Sequence, residues 1–188
     1  AAHGRDLSFL LEICIDRIAP DAALAALHPD WFVHADDGAA FCFLSEVDPA
    51  TEWWCERLAA WQDLGIDGFR CEAAHRVPAT VWARLIAAAR QTGPASCFVA
   101  STFGATPPDL VGLEHCGFDF ALTSSCWWDG VAPWIVDDLD RIGMIAAVAT
   151  LAVPPHHAGP VSGRALSLAG FLGNLWILNA SAVGDRTE

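Results

Sequence analysis

The feature that most constrains the fold is an alternation of short apolar runs with helical segments. Apolar runs typical of buried strands begin near Leu7, Ile66, Ser96, Phe118 and Met144. A strand buried on both faces reads as a continuous apolar run, and strands that alternate with helices form a parallel sheet. The sequence therefore predicts an α/β protein with a mainly parallel sheet and helices outside it.

Capping residues mark the predicted helices. Aspartate or threonine before proline favours the first turn of a helix, and glycine favours its end. A short strand-like segment near Ala182-Val183 is predicted at the end of the chain. By these signals the helices cover 51–64, 79–91, 106–117, a segment ending at Gly143, and 162 to about 178.

The composition argues against nucleic-acid and membrane partners. The chain has a net charge of −13, and its ten basic residues are all arginines. A protein that neutralises phosphates needs a basic patch, so no nucleic-acid partner is predicted. Apolar runs fall short of the roughly 18 residues that a membrane-spanning helix needs, so no membrane partner is predicted either.

The seven cysteines favour a reducing compartment. They contain no Cys-x-x-Cys pair, and Cys14 and Cys97 lie in apolar runs, where cysteine acts as a small hydrophobe. We therefore predict a cytoplasmic protein. The adjacent His156 and His157 point apart and lack further ligands at suitable spacing, so neither a metal nor a cofactor is predicted.

One stretch, 65–78, combines a buried strand with an abrupt polar end. Ile66 and Phe69 suit apolar layers, whereas Arg70 and Glu72 share one side of the strand because side chains alternate with a period of two. Ligands bind at the carboxyl ends of parallel strands. An arginine and a carboxylate at such an end indicate a functional site.

This stretch resembles the fourth-strand motif of the α-amylase superfamily, glycoside hydrolase family 13. The shared elements are Gly-Phe-Arg-x-acid-Ala-Ala at 68–74 and a preceding helix that ends in Leu-Gly-Ile. His-Pro-Asp-Trp-Phe at 28–32 resembles the maltosyltransferase-like branch of bacterial glycogen metabolism. The resemblance covers nearly the whole chain and implies strands three to eight of a (β/α)8 barrel.

The implied fold is a partial TIM-like barrel of about six βα units in a single domain, residues 1–188. The first two βα units of such a barrel have no counterpart in this sequence, which opens without methionine. We therefore expect a fragment whose open sheet edges are covered by a missing N-terminal segment or by a partner chain.

The resemblance also implies roles for individual residues. Glu72 stands at the position of the family's aspartate nucleophile, and Arg70 matches the arginine two residues earlier. Glu12 stands at the position of an aspartate in the third strand, although a satisfied polar residue at a strand end is an equal reading. Trp128 suits sugar stacking or plain packing, and His157 matches a histidine after the seventh strand. The predicted substrate-binding residues are Glu12, Arg70, Trp128 and His157.

Two of the three catalytic carboxylates implied by the resemblance are replaced. Ser101 stands at the position of the glutamate general acid, and Ala158 stands near that of the transition-state-stabilising aspartate. Serine cannot protonate a leaving glycosidic oxygen near neutral pH. The sequence thus predicts a degenerate relative of α-glucan hydrolases and maltosyltransferases that binds, at most, an α-glucan or maltooligosaccharide.

The alternative is an active retaining α-glucan hydrolase or glycosyltransferase that uses Glu72. Retaining chemistry needs two carboxyl groups about 5–5.5 Å apart. Asp129 and Glu46 are the candidates for a displaced acid. Whether the chain is an enzyme stays open at this point.

Overall fold

The computed structural model describes residues 8–19, 21–35, 38–42, 45, 47–155 and 161–178. Strands and α-helices alternate through most of them. The described elements are β1 (Leu10–Cys14), β2 (Arg17–Ile18), α1 (Ala23–Leu27), β3 (Phe32–Ala35), β4 (Gly38–Phe41), α2 (Pro49–Asp63), β5 (Gly68–Glu72), α3 (Ala79–Thr92), β6 (Cys97–Ala100), β7 (Phe120–Leu122), α4 (Trp134–Ile145), β8 (Ala147–Leu151), α5 (Gly163–Leu172) and β9 (Leu175–Ile177).

The main sheet confirms the predicted architecture. Within the described residues, six strands pair in the order β1-β5-β6-β7-β8-β9, and each neighbouring pair is parallel. The sheet curls into a half-barrel. In the register of the first pair, Glu12 lies opposite Arg70 and Cys14 lies opposite Glu72. The carboxyl ends of these strands consequently meet at one edge.

A second, antiparallel sheet was not predicted from the sequence. Its strands pair in the order β2-β4-β3 and lie between β1 and α2 along the chain. The strands are two to four residues long, which is too short for an alternating apolar pattern to be recognised.

The two faces of the main sheet pack against different clusters. The outer face packs on the helices. The fully buried residues of this cluster include Phe69 and Phe98 from the sheet and Leu58, Trp82 and Leu85 from the helices. The tryptophans of α2 pack in this cluster, which contains Trp54 and is contacted by Trp53 and Trp61. The inner face carries a smaller apolar cluster of Val99, Leu122, Ala149 and Leu151. On β1 and β5 the same alternation places Glu12, Arg70 and Glu72 on the inner face.

The strand predicted from Met144 was placed too early. Helix α4 continues through Gly143 to Ile145, and β8 begins at Ala147. A glycine inside a helix costs only about 1 kcal/mol relative to alanine. Burial of Ile142 and Ile145 on the inner side of α4 outweighs that cost.

The helix predicted over 106–117 is also wrong. The capping box of Thr106 and Asp109 is present, but it opens a short 3₁₀ helix, Pro107–Leu110, and a second one follows at Leu113–His115. Between them Gly112 has a φ of 92°. This left-handed conformation suits glycine and interrupts a continuous α-helix.

The last predicted helix, to about residue 178, is too long. Helix α5 ends at Leu172, and β9 follows as the sixth strand of the main sheet. A side chain at Gly173 would meet Thr150, so the chain passes close to β8 there. The strand-like segment near Ala182-Val183 and the predicted start at Leu7 lie outside the described residues.

Among the helices that the structure describes, none combines the length and the hydropathy needed to cross a bilayer.

Candidate functional site

The carboxyl end of β5 points its polar side chains to the inside of the half-barrel. Phe69 and Cys71 are fully buried against the helices. Arg70 and Glu72 occupy the opposite side because of the strand's alternation. Gly68 begins this strand because any side chain there would clash with the backbone of Cys97 on β6. The tight approach of β5 and β6 thus sets the position of both polar residues.

Arg70 bridges two carboxylates. Its Nη1 lies 3.0 Å from Oε2 of Glu12, on the neighbouring strand β1. Its Nη2 lies 2.5 Å from Oε1 of Glu72, in a second ion pair. The exposed fractions are 19% for the Arg70 side chain, 27% for Glu72 and 59% for Glu12. The pairing is therefore most sheltered from solvent at Arg70.

Ser101 joins this group from the end of β6. Its hydroxyl donates a hydrogen bond of 3.0 Å to Oε2 of Glu72. Ser101 is 1% exposed. The structure therefore brings Glu12, Arg70, Glu72 and Ser101 together, with a buried hydroxyl in contact with Glu72.

A cavity of about 470 Å³ opens over these residues. Aromatic rings form one of its walls, where Phe103 and Trp127 pack edge to face with their ring centroids 4.8 Å apart. The cavity thus combines a charged floor with an apolar wall. Its lining residues are Glu12, Arg70, Glu72, Phe103, Trp127, Leu151 and Pro155.

Trp127 takes the place that the sequence analysis assigned to Trp128. The indole N–H of Trp128 donates to the carbonyl of Ala132 at 2.7 Å, and its ring lines a different hollow, beside α5. The 3₁₀ helix Ser125–Trp127 rotates these neighbours to different sides. No signal in the sequence distinguishes the two tryptophans. His157, the other predicted binding residue, lies outside the described residues.

A strained turn follows Glu72. Ala73 has a φ of 48°, in the left-handed region that residues other than glycine rarely adopt. Two hydrogen bonds hold the next residue: the N–H of Ala74 donates to the Ser101 carbonyl at 2.9 Å, and the Trp82 indole donates to the Ala74 carbonyl at 2.8 Å. The core thereby determines the backbone next to the candidate site.

A second group of charges supports the end of β1. Asp16 is buried and accepts hydrogen bonds from the Cys14 thiol at 3.0 Å and from Arg17 at 2.9 Å, and Arg76 lies 3.5 Å away. Burial alone would raise the pKa of Asp16, but these hydrogen bonds and arginine charges outweigh it and hold that pKa below its usual value. Burial raises the pKa of Cys14 to about 11. The thiol thus stays protonated and donates to Asp16.

Asp129 is a poor candidate for a displaced acid. Its Oδ1 accepts the backbone N–H groups of Val131 and Ala132, each at 2.8 Å. These two hydrogen bonds, of which the one from Ala132 has the larger effect, hold the pKa of Asp129 below its usual value. A general acid needs a raised pKa. Glu46 lies outside the described residues. The described part of the chain also holds no cluster of three His, Cys, Asp or Glu residues able to bind a metal.

Curated relatives of this chain are maltosyltransferases. It is 31% identical over 184 residues to an alpha-1,4-glucan:maltose-1-phosphate maltosyltransferase of Burkholderia pseudomallei, with 85% of this chain and 15% of the relative covered. The enzyme of the same name from Corynebacterium glutamicum is 30% identical over 144 residues, with 67% and 21% covered. The chain therefore spans only about a seventh to a fifth of these relatives. No protein-family profile matches it.

Solved structures with the same fold include α-amylases. One from Lactobacillus plantarum superposes with a TM-score of 0.72 at 19% identity, covering 96% of this chain and 52% of that one. One from Geobacillus thermoleovorans, complexed with acarbose, has a TM-score of 0.69 at 13% identity, with 94% and 49% covered. At such identities the likeness establishes the fold alone.

The curled parallel sheet, with a charged cleft at its carboxyl edge, defines a partial (β/α) barrel of the amylase type. With the maltosyltransferase relatives, this confirms the resemblance predicted from the sequence. The chain belongs to the α-amylase superfamily, glycoside hydrolase family 13.

Proposed function

We propose that this chain forms the glucan-binding part of an α-amylase-type barrel whose catalytic carboxylates are degenerate. Its cleft binds an α-glucan or maltooligosaccharide and turns it over negligibly. The observation that carries the proposal is the hydrogen bond from Ser101 to Glu72. Ser101 occupies the position where the family's general acid is expected, so a hydroxyl contacts Glu72 in place of a second carboxyl group. The maltosyltransferase relatives support the choice of substrate class.

The charges of the cleft support binding without catalysis. Glycosidic cleavage needs one carboxylic acid that donates a proton to the leaving oxygen. Glu72 instead receives a hydrogen bond from Ser101, and Glu12 and Glu72 both face the guanidinium of Arg70. The two carboxylates are thus placed to accept hydrogen bonds from sugar hydroxyls, and the guanidinium is placed to donate them.

The aromatic wall supports sugar as the ligand. The C–H faces of a pyranose ring pack on aromatic rings, and its hydroxyls need polar partners at the rim. Trp127 is 49% exposed and faces the same cavity as Arg70 and Glu72. The cavity therefore offers both surfaces that one glucosyl unit requires.

The proposal includes a longer barrel in a reducing compartment. Parallel edges remain open at β1 and β9 in the described sheet, and α-amylase neighbours are about twice as long as this chain. We infer that further βα units, on the same polypeptide or on a partner, close the barrel between these edges. All seven cysteines are free thiols, which supports a cytoplasmic location.

The alternative of an active retaining enzyme has one observation in its favour. Glu12 supplies a second carboxylate beside Glu72, held by the same guanidinium. In that mechanism Glu72 would attack the anomeric carbon and Glu12 would protonate the leaving oxygen. The pairing of Glu12 with Arg70 opposes the second role, so we rank this alternative below binding.

We expect Trp127→Ala to weaken maltooligosaccharide binding about tenfold, which corresponds to about 1.4 kcal/mol, because the sugar loses its stacking surface. Isothermal titration with maltoheptaose measures this. Trp176→Ala is the matched control, since Trp176 is 51% exposed on β9 and does not line the cavity. Equal affinities for both variants and the unmodified chain would place binding elsewhere and refute the proposal.

A further inference from the structure

A second polar hollow lies behind the loops that follow β6 and β7. Its volume is about 250 Å³, and the start and middle of α4 close one side. It shares no lining residue with the cleft over Glu72. The residues that matter for its chemistry are Thr102, Ser124, Trp134, Asp138 and Arg141.

One carboxylate and one guanidinium face this hollow. The Asp138 side chain is 9% exposed, and its Oδ2 accepts the backbone N–H of Ser124 at 2.9 Å. Nη2 of Arg141 lies 3.5 Å from Oδ1 of Asp138, too far for a strong hydrogen bond. Burial raises the pKa of Asp138 despite these partners. Because the Ser124 N–H is bound to Oδ2 and Arg141 lies 3.5 Å from Oδ1, the Oδ1 atom can accept a closer hydrogen bond from a ligand.

The balance of charges selects a neutral ligand. An anion would meet the carboxylate of Asp138, and a cation would meet the guanidinium of Arg141. A hydroxyl group suits both, because it donates to a carboxylate and accepts from a guanidinium. Neighbouring hydroxyls on one ring could contact both side chains together.

Trp134 adds an apolar surface to the same hollow. It is the first residue of α4 and is partly exposed. An aromatic ring beside hydroxyl-binding groups suits the C–H face of a sugar ring. Small polar ligands without such a face would leave this surface uncovered.

We propose that this hollow is a second sugar site, which binds one uncharged glucosyl unit of an α-glucan. The inference rests on the proposed function for the choice of sugar, and the site itself is independent of the cleft. Asp138 and Arg141 bind the hydroxyls, and Trp134 stacks on the ring. A glucan held there would remain attached to the protein without occupying the cleft.

The test is an NMR titration of the ¹⁵N-labelled chain with maltotriose, followed through the tryptophan indole N–H signals. We expect saturable shifts of the Trp134 signal that persist, within twofold in apparent affinity, in the Trp127→Ala variant. In Trp134→Ala and Trp134→Phe, which lack this indole, binding is followed through the backbone N–H signal of Ser124, which donates to Asp138. Trp134→Ala should abolish the shift of that signal, and Trp134→Phe, which keeps an aromatic face, should restore most of it. Circular dichroism checks that each variant is folded.

The outcomes separate the two proposals. A Trp134 signal that does not shift, or that stops shifting in Trp127→Ala, would overturn the second site and leave the cleft proposal standing. A Trp134 signal that shifts while Trp127→Ala has no effect on any binding curve would support the second site and refute the cleft proposal. Separate titrations with glucose and glucose 6-phosphate test the selection for a neutral ligand. Glucose 6-phosphate should bind at this site at least tenfold more weakly than glucose, and equal binding would contradict the selection.

Discussion

Replacing Arg70 with alanine should lower the free energy of unfolding by about 3 kcal/mol. The substitution leaves Glu12 and Glu72, which lie two register positions apart on adjacent strands, without their shared cation. Breaking a buried ion pair by removing one partner costs about 3–5 kcal/mol. We expect the low end of this range because Glu12 is more than half exposed. Urea denaturation followed by circular dichroism measures the change.

The control for this prediction is Arg84→Ala. Arg84 contacts both oxygens of Glu52 between α3 and α2, at 3.0 and 3.1 Å, and its side chain is 35% exposed, compared with 19% for Arg70. A surface pair of this kind contributes about 0–1 kcal/mol. If Arg70→Ala costs no more than Arg84→Ala, the three-residue charge group does not stabilise the carboxyl edge of the sheet.

Replacing Trp82 with alanine should have the largest effect, about 3–5 kcal/mol of unfolding free energy. Trp82 is fully buried on α3, packs edge to face on Phe118, and donates to the carbonyl of Ala74. The substitution leaves a large cavity and removes the shorter of the two hydrogen bonds to the Ala74 carbonyl, beside the strained turn after Glu72. Thermal and urea denaturation both report this loss.

Trp82→Phe separates packing from hydrogen bonding. It keeps most of the ring but removes the indole N–H, so the Ala74 carbonyl loses its shorter hydrogen bond and keeps only the one from the Val77 N–H, at 3.3 Å. Losing one such hydrogen bond costs about 0.5–1.5 kcal/mol. A Phe variant as unstable as the Ala variant would show that the hydrogen bond, rather than the packed volume, dominates at this position.

The sequence predicts most of the framework because its signals there are local. Strand β5 ends in alternating apolar and polar residues, which places Arg70 and Glu72 on one side of it. The parallel pairing of β5 with β6 then brings Ser101 beside them. The charge group with Glu12 follows from the register of β1 on β5. These contacts depend on strand periodicity, which a sequence carries directly.

The remaining errors lie where tertiary packing decides between local alternatives. Trp127 and Trp128 are adjacent and chemically identical. The 3₁₀ helix Ser125–Trp127 determines which of them faces the cavity. Gly112 carries a positive φ where the pattern favoured a helix, while Gly143 lies inside one. A glycine's conformation follows from its neighbours in space, so its position in the sequence does not determine it.

Product release from maltoheptaose tests most directly whether the cleft binds glucan without turning it over. Loss of a general acid typically lowers the rate 10²–10⁴-fold. We predict that the unmodified chain releases or transfers products no faster than its Glu72→Gln variant, even with the cleft saturated. Steady release of shorter or longer oligosaccharides by the unmodified chain, abolished by Glu72→Gln, would contradict the claim and identify a working enzyme.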